Sequence, residues 1–113
     1  MFSDNKEEGK KEPELKDIMV EEFPWYLLTD ENRGIFEKRV RIEVTPLHDL
    51  YSIKNELAAV AKCEMNDDVL FACGEDYYVV HLTWGNGNAS YPWYVKIEKD
   101  KIVEYLLENY ESD

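Results

Sequence analysis

The clearest periodicity lies near the end of the chain. Ile102, Val103, Leu106, Leu107 and Tyr110 recur at helical spacing, while Lys101, Glu104, Glu108 and Asn109 fall on the opposite side. This predicts a C-terminal helix, capped by Asp100, whose apolar stripe covers one face of a small sheet. The middle of the chain follows a period of two instead. Residues 77–84 are nearly all aromatic or β-branched and predict a strand, with Tyr77, Val79, His81 and Thr83 on one face and Tyr78, Val80, Leu82 and Trp84 on the other. Two further strand candidates precede it. One is residues 56–64, with Leu57, Ala59, Ala61 and Cys63 sharing a face, although its alanines also suit a helix. The other is residues 69–73. Met65-Asn66-Asp67-Asp68 and Gly74-Glu75-Asp76 read as tight turns, which force antiparallel pairing. Residues 93–97 offer a fourth strand beyond a Gly/Asn-rich loop (residues 85–90) that reads as flexible, with Pro92 rigidifying its exit.

Residues 30–44 support two readings. Phe36, Val40 and Val44 repeat every four residues, as on a helix, yet Val40, Ile42 and Val44 alternate with Arg39, Arg41 and Glu43, as on a strand. Thr29 and Asp30 suit a helix N-cap, and Thr45-Pro46 ends the element either way. Upstream, Ile18 to Leu28 forms an apolar entry segment interrupted by Pro24. Residues 1–16 alternate acids and lysines with almost no apolar group, which predicts a disordered charged tail, a solubilising leader rather than a binding arm. The expected architecture is one α+β domain over residues 17–113: an antiparallel meander of three to four strands, with a helix before it and a helix after it.

Composition changes the picture in one respect. The 113 residues carry 13 Lys and Arg against 25 Asp and Glu, a net charge of −12. Phosphate contacts and anionic lipid surfaces both need basic residues in excess, so nucleic acid and membrane are poor partners. Residues 46–84 hold seven acids against two bases, so the excess concentrates on the strand region, where Asp49, Glu56, Glu64, Asp67, Asp68, Glu75 and Asp76 fall at turns and edges. Such charge guards edge strands, or it forms a face for a cationic partner. The N-terminus lacks the basic and apolar regions of a signal peptide, no apolar run reaches membrane length, and Cys63 and Cys73 lack C-x-x-C spacing. A cytoplasmic protein with reduced thiols is expected, without cofactor or metal and monomeric.

Candidate chemistry is sparse. His81 sits within a strand, where a histidine serves as a general base or, more commonly, as a hydrogen-bonded residue on a half-exposed face. Neither His81 nor His48 has a second ligand at zinc spacing. Asp67 and Asp68 are adjacent carboxylates suited to a cation or to acid–base work, but adjacent turn side chains diverge, and turn bonding alone accounts for aspartate there. Trp84, Trp93 and Tyr94 flank the Gly/Asn loop and suit a recognition surface.

Four segments together carry a resemblance: His48-Asp49-Leu50-Tyr51, Asp67-Asp68-Val69-Leu70-Phe71, Val80-His81-Leu82-Thr83-Trp84 and Pro92-Trp93. They resemble a family of small, largely uncharacterised bacterial proteins with an H-P-L-x-G connector, a D-D-V-L-F strand and a V-H-L-T-W strand. This chain departs from the pattern at Asp49 and Ser52, and at Gly85-Asn86-Gly87-Asn88, where that family carries a Ser-Gly turn and a Glu. The resemblance implies a helix over residues 30–44 and carries no established enzyme activity; a non-enzyme is expected. In size, charge and single-domain build the chain is also similar to the small acidic immunity proteins of bacterial toxin systems. That likeness implies an acidic binding protein that docks on the basic, nuclease-like cleft of a toxin. Asp67, Asp68, Glu75 and Asp76 would steer, Trp84, Trp93 and Tyr94 would anchor, and His81 would complete the partner-binding set. The alternatives are a small enzyme or ligand-binding domain using His81 beside a carboxylate such as Asp68 or Glu98, and a housekeeping interaction module.

Overall fold

The computed structural model describes residues 14–20 and 22–110. The predicted tail therefore lies outside the described residues up to position 13. Its last residues do not: Glu14 caps a short helix, α1 (Leu15–Ile18), and Leu15 packs against the core. Five antiparallel strands follow one another across a single sheet: β1 (Trp25–Leu27), β2 (Ala58–Cys63), β3 (Asp68–Cys73), β4 (Asp76–His81) and β5 (Trp93–Glu98). The fold is thus α+β, with one strand more than the pattern predicted. The additional strand is β1, whose three residues are too few to show alternation. It joins the sheet because Trp25 is buried opposite Cys63 and because Leu28 N–H donates to the Val60 carbonyl at 2.9 Å.

The sheet is covered on both faces. On one face lies α2 (Asp30–Glu43), which settles the ambiguity of residues 30–44 in favour of helix. Thr29 Oγ1 accepts from Asn32 N–H as its N-cap, and Asp30 and Glu31 sit in the positively polarised first turn. Val40 and Val44 pack with Leu57, Ala59, Val69, Phe71, Tyr78, Val80 and Leu82, and Phe36 joins the edge of that cluster. Ile42 is exposed and Glu43 buried, the reverse of what a strand alternation places there. The other face is covered by α1 and by α3 (Ile102–Tyr110), which follows a 3₁₀ turn at Lys99–Lys101. Here Ile102 and Leu106 of the predicted stripe meet Trp25, Ala61, Cys63, Leu70, Val79 and Ile97. Burying side chains of this kind stabilises by about 1.5–3 kcal/mol each, so neither layer is dispensable.

A bulge in β2 corrects one expectation. Ala59 pairs with Phe71, but Ala61 pairs with Leu70, so Val60 is an extra residue. Leu57 and Ala59 consequently face α2 while Ala61 and Cys63 face α3; the four do not share a face. Glu37 of α2 accepts from Ala59 N–H at 2.9 Å beside the bulge. The β3–β4 connection is a two-residue turn with Gly74 at φ 62°, the left-handed conformation that glycine adopts without steric cost.

Candidate functional site

The end of the sheet where β4 stops and β5 begins gathers most of the polar chemistry. β4 ends at His81, so Thr83 and Trp84 belong to the following loop and not to the strand predicted there. Glu43, wholly buried at the end of α2, captures this loop. Its Oε1 accepts from Thr83 N–H (2.8 Å) and Thr83 Oγ1 (3.0 Å), and its Oε2 accepts from Trp84 N–H (2.6 Å) and Arg39 Nε (2.7 Å). Arg39 also donates to the Gly85 carbonyl and lies 5.4 Å from the centre of the Trp84 ring, whose edge meets Phe36. These contacts hold Trp84 at φ 59°, a costly backbone for a bulky residue.

The rest of the loop is equally pinned. A Cβ at Gly87 would overlap the backbone carbonyl of Glu43, so only glycine permits this approach. Asn88 Oδ1 accepts from Ser90 N–H and Tyr91 N–H, and Asn88 N–H donates to the Tyr91 carbonyl. The Tyr91–Pro92 peptide is cis. His48, buried, accepts at Nδ1 from Leu50 N–H (3.0 Å), which leaves Nε2–H to donate to the Pro92 carbonyl at 2.7 Å. Where the glycines and asparagines read as a flexible loop, they build a held one. Glu43, Arg39 and His48 are the residues that sequence reasoning missed: the Arg39–Glu43 pair is four positions apart, but the loop groups that all three hold lie some forty positions away.

On the opposite face, Trp25, Cys63, Asp68, His81 and Trp93 form a row across the sheet, following the strand register. Asp68 is buried while Asp67 is exposed, so the adjacent carboxylates diverge. Asp68 Oδ1 accepts from His81 Nδ1 at 2.7 Å and Oδ2 from Tyr110 Oη at 2.6 Å, which ties the end of α3 to the sheet. Burial pushes the Tyr110 phenol well above its ordinary value, and its bond to the Asp68 carboxylate and that carboxylate's charge push it further. The Tyr105 phenol is raised by burial and then by Asp68. Both thiols are raised chiefly by burial, Cys63 deeply and Cys73 partly, against any reactive thiolate. The buried Trp25 indole N–H finds no partner among the described residues.

The eight residues singled out from sequence are therefore divided. Asp67, Asp68, His81, Trp84, Trp93 and Tyr94 lie at this end, with Trp84 on the α2 side and Trp93 beside His81 on the α3 side. Tyr94 is half-buried on the α2 face, donating to Asp49 Oδ2 at 3.2 Å and packed on His48 and Tyr78, so it braces the loop from below. Glu75 and Asp76 lie at the other end of the β3–β4 hairpin, one six-residue strand or about 17 Å away. The acids therefore do not form one patch. Among the described residues no group of three or more His, Cys, Asp or Glu is placed to hold a metal, and no helix is long and apolar enough to cross a membrane. Comparison with protein-family models, curated proteins and solved structures found no match.

Proposed function

We propose that the chain is an acidic protein-binding module that docks through the rim formed by the 84–93 loop and the neighbouring 47–49 connector, and that its partner is a basic toxin domain which it neutralises as an immunity protein. The observation that carries this reading is the exposure of large apolar groups on pinned backbone. Trp84, Tyr91 and Trp93 each keep about half their surface in water and Leu47 keeps 81%, all at one end of the sheet. Exposed aromatics are the side chains that dominate binding hot spots, and backbone already held in place costs little ordering on association. Asp49 and Asp67 flank the rim, and a net charge of −12 speeds encounter with a basic surface.

The test is co-production with the product of any toxin gene adjacent to its own, scored by survival and by calorimetry on the purified pair. Protection that is lost on Trp84→Ser or Trp93→Ser, with the fold retained, is the expected outcome. A toxin that kills equally with and without the chain sinks the reading.

One observation favours a second reading, proton-transfer chemistry at His81. With Nδ1 bonded to buried Asp68, the ring turns its Nε2 away from the carboxylate, and the side chain is 47% exposed. Turnover of any substrate that disappears on both His81→Gln and Asp68→Asn would favour it over docking.

A further inference from the structure

We infer that the outer edge of β5, with the groove between it and α3, takes an extended basic peptide as a sixth strand. β5 is the last strand of the sheet, and among the described residues nothing pairs with its outer side. An edge strand presents a row of unpaired N–H and C=O groups, and most proteins blunt that row with charged side chains, bulges, proline or very short strands. β5 has no bulge and no proline over its six residues, which keep unbroken register with β4, and its charged side chains are Lys96 and Glu98. Its lysine, Lys96, is drawn towards Asp76 of β4 at 3.7 Å. The opposite edge, β1, is three residues long and offers no comparable template.

An open groove of about 340 Å³ runs along this edge. Val95, Lys96, Ile97 and Glu98 line its strand side, and Lys101, Glu104, Tyr105 and Glu108 its helix side, so three carboxylates face two lysines there. Glu104 and Glu108 are exposed and make no hydrogen bond or ion pair among the described residues. Like charges four apart on a helix repel, so cations placed opposite them relieve a standing cost. Four residues of helix rise about 6 Å. Alternate residues of an extended strand are about 6.6 Å apart. A strand added to β5 with Lys or Arg at every second position would therefore lay its aliphatic stems over Val95, Ile97 and Tyr105 and bring its charged heads to the two glutamates. The occupant that fits is a basic-x-basic segment in extended form. A second copy of the chain, itself at −12, is the wrong charge.

This site goes beyond the rim reading and stands whether or not the partner is a toxin. The test uses the full chain and an end-blocked octapeptide of alternating Arg and Thr, titrated by calorimetry at low salt. The expected results are binding of this peptide, none of its Glu-for-Arg counterpart, and a split between the two versions N-methylated at alternate amides, which both keep the charge: the one methylated on the amides that face β5 does not bind, and the one methylated on the outward amides does. The exposed double substitution Glu104→Lys, Glu108→Lys should weaken binding about tenfold without changing the circular dichroism. Equal binding of both N-methylated series would show charge attraction without strand addition and overturn the proposal. So would an unchanged affinity in the double variant, or a stable dimer that binds no peptide.

Discussion

The two faces of the sheet each bury a carboxylate, and the two are held in different ways. Glu43, under the loop, accepts four hydrogen bonds, from two backbone amides, a hydroxyl and the permanently charged Arg39. Asp68, under α3, accepts two side-chain bonds only, from His81 and from the Tyr110 phenol, whose proton burial and the carboxylate hold in place. The first is a clamp made largely of fixed donors, and it holds the loop that carries the exposed aromatics. The second is a latch between the sheet and the last turn of α3, and its strength depends on protons.

Substitution at Glu43 should break this comparison most severely. Glu43→Ala strands Arg39 and orphans the Thr83 and Trp84 amides, and a loss of about 3–5 kcal/mol is expected in urea denaturation, as for breaking a buried pair. A cost no greater than that of Tyr110→Phe would remove the distinction between clamp and latch. Gly87→Ala attacks the same clamp through the backbone, since its methyl group meets the Glu43 carbonyl. About 3 kcal/mol should be lost, with any partner affinity falling alongside.

On the latch, Tyr110→Phe should cost about 2 kcal/mol, the usual worth of a hydrogen bond to a charged group. It should also change the response to alkali. The Tyr110 phenol is raised in the folded chain above its unfolded value near 10, so the native state holds its proton longer. That contribution is complete below about pH 10 and is lost as pH climbs beyond it. Tyr110→Phe should thus begin weaker but lose less between about pH 9.5 and 11, read from urea midpoints, with tyrosinate absorbance rising at lower pH in the wild type once it unfolds. The smallest effect belongs to His81→Gln. The ring is half exposed, and about 1 kcal/mol or less should be lost if the latch rests mainly on Tyr110.

Sequence pattern revealed what is local and hid what is distant. The α3 stripe and the β3–β4 hairpin follow from short-range periodicity and turn chemistry, and both are present. The bulge at Val60 is invisible because alternation counts residues and cannot see one skipped by the partner strand. Glu43 stands among alternating charges that give it no special mark, since three of its four donors arrive forty residues later. Asp67 and Asp68 are alike in sequence, and only the placement of His81 and Tyr110 makes one exposed and the other buried. The located negative charge read from segment counts proved to be two separated ends, because a meander sends its consecutive turns to opposite ends of the strands.

The strand order carries a kinetic consequence. β2, β3, β4 and β5 are neighbours both in sequence and in the sheet, so each pairing closes only a short loop. β1 must wait for the whole segment 28–57, with α2 inside it, before it can reach β2. Chain assembly should accordingly spread outward from the central hairpin, with amides of β3 and β4 protected from solvent exchange before those of β1, and with the layer containing α1 and α3 sealing last.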